Sequence, residues 1–171
     1  MVIVAGSVRS GKSTFARRVV DRSGGVCVGF GDVVRSRAAE LGLPAERRSW
    51  QHVGEEWVRS DPVGLCEQVL SPVVHAPRII VDGVRHIEVY ALLVRRAQGR
   101  KTVLVFVDAE PRIRRRRLLR DAFDQPGLDE IMAHSTESEL PELRGMADLL
   151  VDGTGDSTPA LSALATLLAE P

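Results

Sequence analysis

Short apolar runs alternate along the chain with longer segments whose apolar residues recur every three or four positions. Residues 2–5, 26–30, 78–81, 101–107 and 148–151 are compact, valine- and isoleucine-rich runs of strand length. Between them, residues 12–21 carry Phe15, Ala16, Val19 and Val20 at helical spacing. Residues 32–41 read as a helix stopped by Gly42 and Pro44. Residues 45–59 place Trp50, Val53, Trp57 and Val58 on one stripe, and a further helix runs from Val63 to Leu70 after Pro62. Helices are also expected over 86–97, from Pro111 through the arginine run, over 130–144, and over 158–170 through Leu161, Leu164, Leu167 and Leu168. Strands apolar on both sides, separated by helices, predict an open α/β sandwich with a parallel sheet covered on both faces. Ligands of such a sheet bind beyond the carboxyl ends of its strands. That rule singles out residues 5–13, 31–35, 82–88 and 108–120.

The length, 171 residues, suits one domain, and 44% hydrophobic residues exclude a disordered chain. Lys plus Arg and Asp plus Glu both number 23. Balance of that kind argues against a general nucleic-acid footprint. The basic residues are lopsided: Lys12 and Lys101 are the only lysines, the rest being arginines, which suit forked contacts to phosphate or carboxylate. Two cysteines make no disulfide framework. Cys27, inside an apolar run, is expected to be buried, and both are expected as free thiols in a reducing, cytoplasmic setting. The N-terminal run lacks the basic lead of a signal peptide, and no apolar window is long enough to span a membrane.

Residues 6–14 read GSVRSGKST, a full match to G-x-x-x-x-G-K-[ST] placed between a strand and a helix. Gly6 and Gly11 let the backbone curl so that its amides face a polyphosphate. Ser7, Arg9, Ser10, Gly11, Lys12, Ser13 and Thr14 complete the candidate nucleotide cradle. Lys12 is expected between the β- and γ-phosphates, Ser13 on magnesium, and Thr14 near the α-phosphate. Asp32 and Arg35 follow the second strand in GDVVR, on one helix face. Asp82, Gly83 and Arg85 follow the third strand in DGVR. Asp82 is the second metal candidate, Arg85 and Arg35 are candidate anion clamps, and Glu88 is a candidate substrate contact. His86 is expected to be structural. Residues 112–120, RIRRRRLLR, hold six arginines in nine positions. Arg112, Arg116 and Arg120 share a stripe, with Arg117 beside it; arginines closing on transferring phosphoryl oxygens stabilise developing charge. Trp50 and Trp57 are expected to pack on the core or to line a substrate wall.

The set GSVRSGKST, GDVVR, DGVR and an arginine-rich helix resembles the nucleoside monophosphate kinase family, with its relatives dephospho-CoA kinase and the phage deoxynucleoside monophosphate kinases. Longer stretches, QHVGEEWVRSDPVGLCEQVL, IIVDGVRHIEVYALL and ADLLVDGTGDSTPAL, extend the similarity over nearly the whole chain. The resemblance implies a P-loop NTPase three-layer sandwich with a five-stranded parallel sheet. It also implies an acceptor-binding helical region over 32–75 and a short lid over 112–130. By the same resemblance Arg35 and Arg85 hold an acceptor's phosphate, Asp82 helps to organise magnesium, and Arg116 and Arg117 belong to the lid side. ATP and Mg2+ are the expected cofactors, a small phosphorylated molecule the expected acceptor, and Asp32 the candidate base should the acceptor be a hydroxyl. Three alternatives stay open: a dephospho-CoA kinase-like or other hydroxyl kinase, an ATP-binding switch with weak ATPase activity, and a nucleic-acid end kinase. Monomer and homodimer are both open.

Overall fold

A computed structural model describes residues 1–120 and 138–169. The elements run β1 (Val2–Ala5), α1 (Lys12–Ser23), β2 (Val26–Gly29), α2 (Phe30–Glu40), α3 (Arg47–Ser60), α4 (Pro62–Leu70), a 3-10 turn (Ser71–Val73), β3 (Ile79–Val84), α5 (Ile87–Arg96), β4 (Val103–Asp108), α6 (Pro111–Leu119), α7 (Leu140–Gly145), β5 (Leu149–Asp152) and α8 (Thr158–Ala169). The five strands form one parallel sheet in the order β2-β3-β1-β4-β5. This is the three-layer α/β sandwich that the alternation of apolar runs and helices predicts.

The central strand explains the arrangement. All four residues of β1 are inaccessible to solvent, and each such Val or Ile stabilises by about 1.5–3 kcal/mol relative to leaving it exposed. Ile3 and Ala5 point into the larger core, where β3 and β4 meet α4, α5 and α7 through Leu65, Val69, Leu93 and Leu143. Val2 and Val4 point the other way, onto Phe15, Ala16 and Val19 of α1 and Leu164 of α8. Arg18 of α1 donates to Ser157 Oγ at 2.7 Å, tying α1 to the start of α8. Pro62 opens α4, and Asp61 caps it by accepting from the Gly64 amide at 2.8 Å.

Three expectations need correction. Cys27 is exposed, because β2 is an edge strand and Cys27, in register with Ile80, lies on the α1 side where cover runs out. Helix α2 starts at Phe30, two residues before the expected start at 32, so Phe30, expected as the end of the strand, opens the helix and Asp32 stands in its first turn. Strand β3 runs on through Asp82 and Gly83 to Val84: Val4 pairs with Asp82 and Ala5 with Val84, leaving Gly83 as a bulge at φ +93°. Such a bulge bends the strand and re-aims the residues beside it. The lid expected over 112–130 is described only through Arg120. The helix expected over 130–144 lies partly outside the described residues, its described part being α7.

Candidate functional site

The carboxyl ends of β2 and β3 open onto one cleft of about 250 Å³, lined also by the starts of α1 and α2 and by one face of α3. The 6–14 loop reaches it through Lys12 and Ser13. Gly6 has φ +143° and Gly11, which caps α1, has φ +105°; a side chain at Gly6 would strike the Val107 carbonyl. Arg9 is held at φ +59°, a left-handed conformation that costs free energy for a residue with a Cβ. Lys12 is 9% exposed and its Nζ donates to the Ser7 carbonyl at 3.1 Å. The loop's own backbone therefore holds the ammonium in the cleft.

Lys12, Ser13, Asp32, Arg35, Asp82 and Arg85 all line this cleft. Asp82 alternates with Val81 along β3, so it falls on the α1 side, where α1 starts with Lys12 and Ser13. Asp82 Oδ1 is buried without a hydrogen-bond partner among the described residues. A buried carboxylate oxygen in that condition calls for a cation or a donor. Ser13 and Asp82 are hard oxygen donors of the kind magnesium takes, so the site fits the metal on its own chemistry. Arg35 bonds Asp32 Oδ1 at 2.5 Å and lies over the Trp50 ring at 5.6 Å. Its side chain is 48% exposed and that of Asp32 78%. An ion pair this open is worth about 0–1 kcal/mol, so an anionic ligand can displace Asp32 from Arg35 at little cost.

The arginine helix disagrees with the expected stripe. Arg112, Arg116 and Arg120 are exposed, and Arg112 pairs with its neighbour Glu110. Leu118 is fully buried and sets the phase of α6, which turns Arg117, not the 112/116/120 row, toward the loop. Arg117 donates to the Arg9 carbonyl at 3.0 Å and to the Gly153 carbonyl at 2.9 Å. It stitches the phosphate loop to the β5–α8 loop, whereas among the described residues Arg112 and Arg116 are not part of the cleft lining. Glu88 is likewise exposed and outside the cleft, because α5 turns Val89, Leu92 and Leu93 inward.

Several lining residues escape the sequence reading. Arg47, Gln51 and Gly54 of α3 join Trp50 along the cleft; the apolar stripe drew attention to Val53 and Trp57, and these polar positions run beside it. Gly153 presses on the phosphate loop from the far side. Hydrogen bonds from the Thr154 hydroxyl and amide hold the Asp152 carboxyl below its ordinary range and shape that turn. Glu139 lies outside the cleft lining but braces it. It accepts from the Ile87 amide at 2.7 Å and meets His86 Nδ1 at 2.9 Å, fixing the segment just after Arg85. His86, expected to be structural, also lines the cleft. Burial works to raise the Glu139 carboxyl, but the bonds from His86 and Ile87 outweigh it and hold the group below its ordinary value. His134 and Glu137, close to Glu139 in the sequence, lie outside the described residues.

Residues 2–141 match the profile of a family described as an AAA domain. The chain belongs to that family. This AAA domain is also 31% identical over 154 residues to the UPF0200 protein PAE1629 of Pyrobaculum aerophilum, covering 88% of this chain and 82% of the relative. Among solved structures, the shikimate kinase of Aquifex aeolicus superposes with a TM-score of 0.61 at 19% identity, over 98% of this chain and 96% of that one. The Acinetobacter baumannii shikimate kinase, solved with shikimate, gives 0.64 at 14% identity over 98% and 91%. At such identities the likeness is one of fold, a P-loop kinase-like sandwich. Among the described residues, no helix is long and apolar enough to cross a membrane.

Proposed function

We propose that this AAA domain is an ATP-dependent phosphotransferase acting on a small phosphorylated acceptor, a nucleoside or deoxynucleoside 5'-monophosphate or a close analogue. One observation carries the reading. One cleft is lined by Lys12 and Ser13 of the phosphate loop together with Asp32, Arg35 and Arg85. Residues 6–14 would hold the triphosphate of ATP. Magnesium, held by Ser13 and Asp82, would supply neutralisation of the phosphate oxygens. Arg35 and Arg85 would fork onto the acceptor's existing phosphate, as guanidinium groups do. Lys12 would meet the charge that develops on the transferring group. An attacking phosphate oxygen is already anionic, so the protein's task is orientation and electrostatics more than proton removal. Arg117 would keep the phosphate loop in shape from behind.

A second reading has an observation of its own. Asp32 lines the same cleft as Lys12, and a carboxylate there is the natural base if the acceptor presents a hydroxyl. One assay separates the two. Purified protein with labelled ATP and magnesium is offered purine and pyrimidine monophosphates, ribo and deoxy, then dephospho-CoA and unphosphorylated polyols, with inorganic phosphate followed alongside. Transfer to a monophosphate, lowered about 100-fold or more in Lys12→Ala, supports the proposal. Arg35→Ala and Arg85→Ala should raise the acceptor KM far more than the KM for ATP. Transfer only to unphosphorylated acceptors favours the hydroxyl reading. Inorganic phosphate as the sole product overturns both.

A further inference from the structure

The wall that α3 presents to the cleft is built to do more than enclose it. Gln51 stands one helical turn after Arg47 and directly beside Trp50, and all three line the cleft together with Gly54. Its Nε2 is buried, and among the described residues it has no hydrogen-bond partner. An amide donor removed from water without a partner costs free energy, and the folded chain keeps one only where something else repays it. Nothing in the packing of α3 repays it: the buried face of the helix is carried by Val53, with Trp57 and Val58 packed against the core. Gly54, one turn on, leaves its part of the wall without a side chain. A Cβ there would meet only the Val34 methyl groups, at 3.7 and 3.8 Å, so the glycine keeps space open and relieves no clash.

We infer that Gln51 is a specificity-determining residue of the acceptor site, and that its carboxamide reads the uncharged, hydrogen-bonding edge of a nucleobase lying along α3. The inference rests on the phosphotransfer reading above and deepens it. Charged recognition in the cleft already belongs to guanidinium groups, which suit the acceptor's phosphate. A carboxamide is neutral and carries a donor and an acceptor on one plane, the pairing that suits a base edge. The indole of Trp50 beside it carries the Arg35 guanidinium over its ring at 5.6 Å, so the phosphate clamp and the Gln51 carboxamide stand on one wall, a phosphate and a base edge apart. An acceptor made of sugar and phosphate alone would leave the Gln51 donor unmet.

The test compares the parent with Gln51→Met, which keeps length and loses the amide, and with Gln51→Leu in case the thioether repacks. Acceptors are AMP, GMP, CMP, UMP and dTMP, with ribose 5-phosphate as the baseless control. The expected result is a fall of about tenfold or more in kcat/KM for the preferred nucleotide, the order expected for one buried hydrogen bond left unmade. The KM for ATP and any use of ribose 5-phosphate should not move. The ligand-free variants should melt at or above the parent temperature, because an unmet buried amide has been removed. Unchanged nucleotide selectivity, or an equal loss on ribose 5-phosphate, overturns the assignment. So does a lowered melting temperature in both variants, which makes Gln51 an ordinary packing residue. If the parent uses none of the nucleotides, the monophosphate reading falls with the base contact. Melting then reports independently whether the buried amide serves folding.

Discussion

Replacing Gly153 with alanine should damage the phosphate loop from outside it. Gly153 follows β5, and nothing in its backbone conformation demands glycine; the constraint is space. A Cβ there would sit 1.7 Å from the Ser10 carbonyl oxygen, 2.9 Å from the Ser10 carbonyl carbon and 2.9 Å from Val107 Cγ1. Neither side can retreat freely. The Gly153 amide donates to the Asp108 carbonyl at 2.7 Å and its carbonyl accepts from Arg117. Ser10 is fully buried, and its amide is tied to the Ser7 carbonyl. The two loops must part by about an ångström or more, an overpacking that costs about 1–3 kcal/mol, and more where the backbone resists. At about 2–4 °C per kcal/mol for a chain of this size, a cost of about 3 kcal/mol lowers Tm by about 6–12 °C. Because the displaced atoms belong to the nucleotide cradle, ATP affinity should fall at least about tenfold, equivalent to about 1.4 kcal/mol. Thermal melting and calorimetric titration with a non-hydrolysable ATP analogue measure the two effects. Gly155→Ala is the control. Its Cβ would come no nearer than 3.4 Å to Asp152 Oδ2, so it should stay within about 0.5 kcal/mol of the parent. A Gly153→Ala protein with the parent's Tm and ATP affinity would refute the reasoning.

Two other substitutions test separate parts of the structure. Gly54→Ala should raise Tm by a few degrees, because a helix-interior glycine costs about 0.5–1 kcal/mol against alanine and the new methyl makes only ordinary contacts; it should also raise the acceptor KM, and a lower Tm would show that the α2–α3 contact is tighter than the distances allow. Glu139→Ala removes the carboxylate that caps α5 and should cost about 1 kcal/mol at neutral pH. Since the Glu139 carboxyl lies below its ordinary value when folded, its contribution is complete above the unfolded pKa and is lost as pH falls through the folded one. The gap in Tm between the parent and Glu139→Ala should therefore be full at neutral pH and narrow as pH falls below the ordinary glutamate range, and a gap that widens with acidification would contradict the assignment.

Much of this molecule follows from local order in the chain. A parallel sheet covered on both faces needs strands apolar throughout, and the runs at β1, β3 and β4 announce it without any partner in view. The phosphate loop is legible for a similar reason: the curl depends on glycines and a lysine at fixed spacing within nine residues, so its chemistry travels with the motif. The segments GDVVR and DGVR could be assigned to the cleft edge because each closely follows an apolar run.

Tertiary structure decided what depends on distant partners. Cys27 sits in a run as apolar as its neighbours, and only the strand order, which puts β2 at the edge, exposes it. The arginine repeat gives Arg112, Arg116 and Arg120 a shared stripe, yet the burial of Leu118 against the core sets the rotation of α6, so Arg117 reaches the loop and the stripe faces water. Asp82 reads in sequence as the residue just beyond the third strand, and its pairing with Val4 extends the strand and leaves the bulge at Gly83. Gln51 and Gly153 carry no local signal at all. One is defined by a hydrogen bond it does not make inside a cleft assembled from segments far apart in the chain. The other is defined by a carbonyl more than a hundred residues away, a distance along the chain that no pattern of neighbouring residues can encode.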